Sequence, residues 1–189
     1  MQSRSQYLRL DEKADQVTDA VWFEGDAPRT DDEVRFLARL RELASGWIVA
    51  GLGPDATSCL TVLVPILVLV DIPALAGEVG LTSLHVGYWP PEHGLRLEGE
   101  WGDNHLLDNG GDDFDLRIGG ISEEPEFFAE AAAMWLATQL LRPIDRMDWV
   151  SGDRIVATRA RLSDDGKTLV RRGSWFRTRR EPDRTTRLN

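Results

Sequence analysis

The stretch 125–141, "PEFFAEAAAMWLATQLL", constrains the fold of this chain more than any other part of the sequence. Ser122 is a suitable N-cap ahead of it, and the acidic residues near its start complement the positive end of a helix dipole. Inside the helix only Glu130, Thr138 and Gln139 are polar. A helix that is apolar nearly all the way round must be covered on most sides. The stretch therefore predicts either the central core helix or a contact between copies of the chain, which would make the protein a homo-oligomer.

Local signals predict two further helices. Thr30 and Glu33 have the spacing of a capping box, in which each side chain accepts a hydrogen bond from the backbone of the other residue. The apolar residues that follow recur on one face, so we predict a helix over 31–44 that stops before Gly46. A similar spacing predicts an amphipathic helix over 10–21.

Two runs in the first half are rich in Val, Ile and Leu without alternation, "WIVAGL" at 47–52 and "CLTVLVPILVLV" at 59–70. Such runs are typical of strands covered on both faces. Pro65 cannot donate to a ladder, so the second strand is bulged, lies at an edge or is split into two short pieces. Its first residue, Cys59, is predicted to be a buried thiol in a reducing compartment. The run is also shorter than the ~20 residues that a membrane-spanning helix needs.

Between 82 and 118 the period of the apolar residues changes to two. "TSLHVGYW" and "LRLEGEW" both alternate, and the turn residues of "PPEHG" lie between them, which predicts an antiparallel hairpin with one face on the core. "FDLRI" continues the same sheet. Trp89 falls on the side away from Leu84 and Val86, so Trp89 and the nearby Trp101 are candidates for binding a partner. The alternative is that a second layer of structure covers Trp89.

A second hairpin is predicted over 153–178, where the dipeptide "DG" at 165–166 is a strong two-residue turn signal. If the neighbouring residues close this turn, the register sets Arg159 opposite Arg172 and leaves Trp175 in the second strand. A directly opposed pair of like charges destabilises a sheet unless something anionic lies over it. These three residues are therefore further candidates for binding a partner.

Together these elements predict an α+β fold. A single domain over 1–180 contains one antiparallel, meander-rich sheet, which includes the strands near 47–70 and packs against two main helices. With 189 residues and 42% hydrophobic content, such a domain buries enough surface to fold without disulfides or metals. The polar residues 181–189 are predicted to form a disordered tail.

The charge of the chain is distributed unevenly along it. Residues 1–150 contain 27 acids and 11 bases, a net charge of −16, whereas residues 151–189 contain 5 acids and 11 bases, a net charge of +6; the two sum to −10. Such asymmetry marks an interaction surface or an internal pairing of the two parts. We favour the internal pairing, in which the basic end neutralises the acidic body.

The arginines of the second hairpin, together with Trp175, offer both charge and stacking for nucleic acid. Two features argue against this partner. The chain has 20 arginines but only 2 lysines, a skew that GC-rich codons produce without selection for phosphate binding. The acidic remainder would also repel a polyanion that extends beyond a Debye length of ~8–10 Å. Phosphate or nucleic-acid contact is therefore the less favoured interpretation.

Motifs for catalysis and for cofactors are missing from the sequence. It contains no G-x-S-x-G elbow, no Walker loop and no G-x-G-x-x-G after a strand, so we predict no cofactor. The alternative is an enzyme with a metal- or histidine-based site around His85, His93 and His105. These residues are predicted on a strand, in a turn and in a loop, whereas metal sites need ligands that converge.

The sequence thus favours a non-enzymatic protein that binds another protein, such as an inhibitor, an immunity protein or a chaperone-like protein. Its acidic body would steer it toward a basic target. The N-terminus lacks the apolar core of a secretion signal, so a cytoplasmic location without membrane association is expected.

Overall fold

The computed structural model describes residues 20–61, 66–76, 83–89, 91–102, 115–119, 123–173 and 179–188. Two α-helices lie in these ranges, α1 (Asp31–Ala44) and α2 (Pro125–Leu140). The described strands are β1 (Thr57–Leu60), β2 (Ile66–Asp71), β3 (Ser83–Tyr88), β4 (Leu95–Gly102), β5 (Leu116–Gly119), β6 (Ile144–Ser151), β7 (Arg154–Leu162), β8 (Thr168–Gly173) and β9 (Arg184–Arg187). The predicted α+β fold, with helices packed against antiparallel sheet, is confirmed.

Helix α1 begins as predicted. The Thr30 side chain accepts a hydrogen bond from the Glu33 amide at 3.1 Å, and the Glu33 carboxylate accepts one from the Thr30 amide at 3.2 Å. This capping box satisfies amides that the first turn would otherwise leave without partners. The buried face of α1 includes Phe36, Leu37 and Leu40, which join the main core.

Helix α2 lies at the centre of the core, as its composition predicts. Its buried side chains include Phe128, Trp135 and Leu136. The helix is not covered all round, because Phe127 and Met134 are exposed on its outer side. Within the described ranges, no helix is both long enough and apolar enough to cross a membrane. A contact between copies of the chain through α2 stays a prediction.

Five strands form sheet A, an antiparallel meander in the order β1-β2-β3-β4-β5. One side of this sheet faces the helices, and on it Tyr88 stacks on Phe36 of α1 with ring centroids 4.4 Å apart. Trp135 of α2 lies flat against Gly99, where a side chain larger than hydrogen would press on the indole ring. Large side chains on the helices therefore fill the space that small residues leave on the sheet.

Four strands form sheet B, in the order β8-β7-β6-β9. Ile144, Leu162 and Val170 lie at one end of this sheet and join the core beneath the helices. The sequence predicted one sheet containing both hairpins, but the structure has two. The strand that organises sheet B, β6, was not predicted, since charged residues interrupt its apolar positions in "IDRMDWVS".

Several other predictions need correction. Residues 47–52 are not a strand, because the chain turns there and Gly51 has a φ of +76°. The run 59–70 contains β1 and β2 instead of one strand, which is the split that Pro65 suggested. The helix predicted over 10–21 falls almost wholly outside the described residues.

The disordered tail predicted over 181–189 is wrong for Arg184–Arg187, which form β9. This strand pairs antiparallel with β6 and places Arg184 opposite Asp148 and Arg187 opposite Asp145. A polar segment that buries few apolar groups is held here by a backbone ladder and by two ion pairs. Those partners lie about 40 residues away along the chain, so the local composition did not reveal them.

The predicted register of the β7–β8 hairpin is wrong by one residue. Arg159 lies opposite Arg171, and Arg172 lies opposite Thr158. The cause is the turn, which Leu162 and Lys167 close instead of Asp164 and Lys167, so that the loop has four residues and the register moves by two. An irregularity next to Arg161 then moves the register back by one. A shift of one residue moves side chains to the other face of a strand.

Candidate functional site

Sheet B carries arginines on both of its faces. Side chains alternate between faces along a strand, and directly opposed residues share a face. We call one side the aspartate face; it contains Arg146, Asp148, Thr158, Arg172 and Arg184. We call the other side the arginine face; it contains Asp145, Met147, Trp149, Arg159, Arg161, Arg171 and Arg187.

The aspartate face is organised around one buried carboxylate. The Asp148 side chain is only 1% exposed. It accepts hydrogen bonds from Arg146 Nε at 3.0 Å, Thr158 Oγ1 at 2.9 Å and Arg184 at 3.2 Å. Burial alone would raise the pKa of Asp148, but these three donors outweigh burial and lower the pKa. The carboxylate therefore stays ionised and binds two of the arginines on this face.

The arginine face differs from the aspartate face, because two of its arginines lie directly opposite each other. Arg159 on β7 lies directly opposite Arg171 on β8, so their Cβ atoms are about 5 Å apart. Arg161 lies two residues further along β7, about 7 Å away on the same face. Burial, followed by the charges of Arg171 and Arg161, lowers the pKa of Arg159. These three arginines form the most concentrated positive charge on sheet B.

Few carboxylates balance this charge. Asp145 lies on the same face, opposite both Arg161 and Arg187, and its Oδ1 is 2.9 Å from Arg187 Nε. Of the carboxylates in the described ranges, none forms an ion pair with Arg171 or Arg161 within 4.0 Å. With four arginines and one aspartate, the formal charge of the arginine face is 4 − 1 = +3.

An apolar cluster lies beside these arginines. Met147, Trp149 and Ala157 pack together, and the Arg159 guanidinium lies 5.9 Å from the centre of the Trp149 ring. The indole is only 2% exposed, and its Nε1–H donates to the carbonyl oxygen of Arg180 at 2.9 Å. Trp149 therefore packs against the Arg159 guanidinium, and its buried ring offers no exposed surface on which a ligand could stack.

The structure separates the residues that the sequence proposed as a partner-binding set. Trp89 is 7% exposed, so the alternative of a covered tryptophan applies. Trp101 lies on the helix-facing side of sheet A, where its Nε1–H donates to Gln139. Arg159 and Arg172 lie on opposite faces of sheet B, and Trp175 falls outside the described residues.

Sequence reasoning missed Arg161 and Arg171 as partners of Arg159. Both residues were visible in the sequence, but the predicted register put Arg172 in the place of Arg171. The signal that could have found them is the period of two in "TRAR", which places Arg159 and Arg161 on one face of any strand. The shift at the β7–β8 turn is a property of the folded hairpin and has no such signal.

The histidines do not form a common site in the described structure. His85 is fully buried on the side of sheet A that faces away from the helices, and its Nε2 lies 2.9 Å from Ser83 Oγ. His93 lies in the exposed turn after β3, beyond about 10 Å of strand. His105 is outside the described residues. No group of three potential metal ligands comes together in the part of the chain that is described.

A buried carboxylate lies near His85 on the same side of sheet A. Glu98 is opposite Gly87 on β3, and its side chain is 3.6 Å from Arg117 Nε. Burial raises the pKa of Glu98, and the charge of Arg117 only partly opposes this. These groups form a polar patch within the sheet, and His93 does not reach it.

The expectation that the basic end neutralises the acidic body holds for part of that end. Arg184 and Arg187 pair with aspartates of β6, and Lys167 pairs with Asp115 at 3.2 Å. These contacts join residues beyond 150 to carboxylates before it. On the arginine face Arg187 has such a pair, whereas no carboxylate of the described ranges pairs with Arg161 or Arg171.

No family model, curated protein or solved structure matches this chain. The chemistry of its own side chains is therefore the basis for a functional assignment. The arginine face is the feature on which the assignment is based, because Arg161 and Arg171 form no ion pair with a carboxylate of the described ranges.

Proposed function

We propose that this protein is a non-enzymatic binding module that recognises an acidic segment of another protein through the arginine face. The observation that carries the proposal is the direct opposition of Arg159 and Arg171, with Arg161 beside them. Like charges at directly opposed positions destabilise a sheet. A bound anion removes this repulsion, so ligand binding would stabilise the fold.

The partial burial of Arg159 strengthens the site. Its guanidinium lies over the covered indole of Trp149 and has lost part of its contact with water. Charges attract more strongly where the surroundings are less polar than water. Guanidinium groups also bind carboxylates with two parallel hydrogen bonds, which adds geometric specificity.

Two features favour a protein partner over nucleic acid. The positive patch spans only about 5 by 7 Å, which suits a few carboxylates. Trp149 is covered, so it offers no platform on which bases could stack.

The test is a titration with three probes of equal length: hexaglutamate, hexaglutamine and a six-nucleotide oligothymidylate. We expect hexaglutamate to bind and hexaglutamine not to bind, since only the first carries negative charge. Arg171→Gln should weaken hexaglutamate binding about tenfold, because a charge-assisted pair is lost. Isothermal titration calorimetry at two salt concentrations measures both effects.

Arg154→Gln is the matched control. Arg154 is an exposed arginine at the start of β7, outside the arginine face, and its removal changes the net charge equally. Equal losses in Arg154→Gln and Arg171→Gln would show attraction by overall charge and would contradict a defined site. If oligothymidylate binds more tightly than hexaglutamate and Arg171→Gln abolishes that binding, the partner is nucleic acid and the proposal of an acidic protein segment is wrong.

A further inference from the structure

The outer edge of β8 borders the arginine face directly. Strand β8 is the terminal strand of sheet B, and β7 is its only partner among the described strands. A terminal strand presents backbone N–H and C=O groups that can pair with an added strand. β8 ends at Gly173, whose φ is +89° and where a side chain would collide with the carbonyl oxygen of Val156.

The two edges of sheet B use their arginines differently. At the β9 edge, Arg184 and Arg187 bind Asp148 and Asp145 of the neighbouring strand. At the β8 edge, Arg171 and Arg172 are exposed, and successive residues of a strand point to opposite faces. The β8 edge thus carries a cation on each face.

The positive charge of Arg171 and Arg172 determines which strands can pair with β8. The same edge of a second copy would bring arginines beside arginines, and charged edges are a known protection against self-pairing. An acidic strand would instead place its carboxylates beside these cations. Among the described strands, the charge of this edge therefore disfavours pairing with a second copy and favours pairing with a strand of opposite charge.

We propose that the acidic partner binds as an added β-strand along β8, with a carboxylate at every second position. This inference rests on the proposed function and specifies the conformation in which the acidic partner binds. Carboxylates at every second position all lie on one face of the added strand, and the strand itself lies directly beside β8, so one of them can lie on the same face as Arg171. Arg171 would lie next to one carboxylate, and Arg172 would face the opposite side of the added strand.

The first test uses the hexapeptide Ac-ETETET-NH2 and two derivatives with N-methyl groups. One derivative is methylated on its glutamate amides, and the other on its threonine amides. In a strand, the amides of alternate residues point to opposite edges, so each derivative blocks one edge and keeps all side chains. We expect the parent peptide to bind and one derivative to bind about tenfold more weakly, because it loses several backbone hydrogen bonds.

The outcomes separate this inference from the proposed function. If both derivatives bind as tightly as the parent peptide, strand addition is wrong, and recognition by side chains alone remains. If no acidic peptide binds, including hexaglutamate, the proposed function fails as well. Ac-QTQTQT-NH2 is the control for charge; equal binding of this peptide would show strand pairing without the arginines and would overturn the inference.

Hydrogen exchange gives a second and independent readout. Binding of Ac-ETETET-NH2 should slow exchange of outward-facing amides in β8 and leave the amides of β9 unchanged. Strand β9 is the matched control, since it is also terminal in sheet B but has its arginines paired. Equal protection of both strands, or protection of neither, would contradict pairing at β8.

Discussion

The two faces of sheet B show how one residue type acquires opposite roles on the same strands. On the aspartate face, Arg146 and Arg184 bind a buried carboxylate, and both contribute to the fold. On the arginine face, Arg159 meets Arg171 instead. The faces therefore differ in whether a carboxylate occupies the centre of the cluster. An arginine beside a buried aspartate stabilises the protein, whereas Arg171 lies opposite another arginine and is exposed.

The largest expected effect follows from removing the charge at the centre of the aspartate face. Asp148→Asn keeps the size of the side chain but weakens three hydrogen bonds, two of them with arginines. We expect the free energy of unfolding to fall by about 3 kcal/mol in urea denaturation, because a buried group loses charged partners. Asp153→Asn, in the exposed turn between β6 and β7, is the control and should change it by less than about 0.5 kcal/mol. Similar losses of unfolding free energy in Asp148→Asn and Asp153→Asn would show that Asp148 contributes no more to stability than an exposed aspartate.

The pH dependence of stability tests the same carboxylate without changing its neighbours. The folded-state pKa of Asp148 is lowered relative to the unfolded chain, where an aspartate titrates near ~3.9. Its contribution to stability is therefore complete above about pH 4 to 5 and is lost as the pH falls through the lower folded-state pKa. The difference in unfolding free energy between the wild type and Asp148→Asn should narrow from pH 5 to pH 2. A constant difference over this range would show that charge is not what Asp148 supplies.

A smaller effect of opposite sign is expected on the arginine face. Arg171→Glu converts the opposed like charges into an opposite pair with Arg159, so the free energy of unfolding should rise by about 0.5 to 1 kcal/mol. The same variant should lose hexaglutamate binding, which couples a gain in stability to a loss of function. Arg154→Glu changes the net charge equally and controls for it in both measurements. Destabilisation by Arg171→Glu would mean that Arg171 already has a stabilising partner in the free protein.

The smallest effect compares single exposed arginines from the two faces. Arg184→Gln should lower the free energy of unfolding by about 0.5 kcal/mol, because its ion pair with Asp148 is partly exposed to solvent. Arg161→Gln should leave it nearly unchanged, since it removes both a repulsive neighbour of Arg159 and a cation directly opposite Asp145. Chemical denaturation of both variants under identical conditions measures the difference. Equal losses would show that the two faces use their arginines alike.

Much of the fold could be predicted because its signals are local. The capping box at Thr30 and Glu33, the alternation in the β3–β4 hairpin and the apolar content of α2 each lie within one element. Strand β6 could not be predicted in this way, since its charged positions are satisfied by distant residues. Asp145, Met147 and Trp149 alternate along β6. This pattern indicates a strand only once β7 and β9 are known to pair with β6 on either side.

The candidate site could be predicted only in part. The sequence indicated that the terminal hairpin opposes like charges at Arg159, and the structure has such an opposition. It named Arg172 as the opposed residue, because a two-residue turn was assumed, whereas the four-residue loop and the irregularity next to Arg161 place Arg171 there. Trp89 and Trp101 were proposed as exposed anchors, but Trp89 is buried and Trp101 donates to Gln139 of α2, which composition does not reveal.

By itself, the sequence determined the helices α1 and α2, the β3–β4 hairpin, the presence of a turn at Asp165-Gly166 and the concentration of arginine after residue 150, because these depend on neighbours along the chain. Only the tertiary structure decided which arginines meet a carboxylate. Pairing across a sheet depends on the register between strands, and a one-residue shift exchanges the two faces. The division of sheet B into an aspartate face and an arginine face is therefore a consequence of strand pairing.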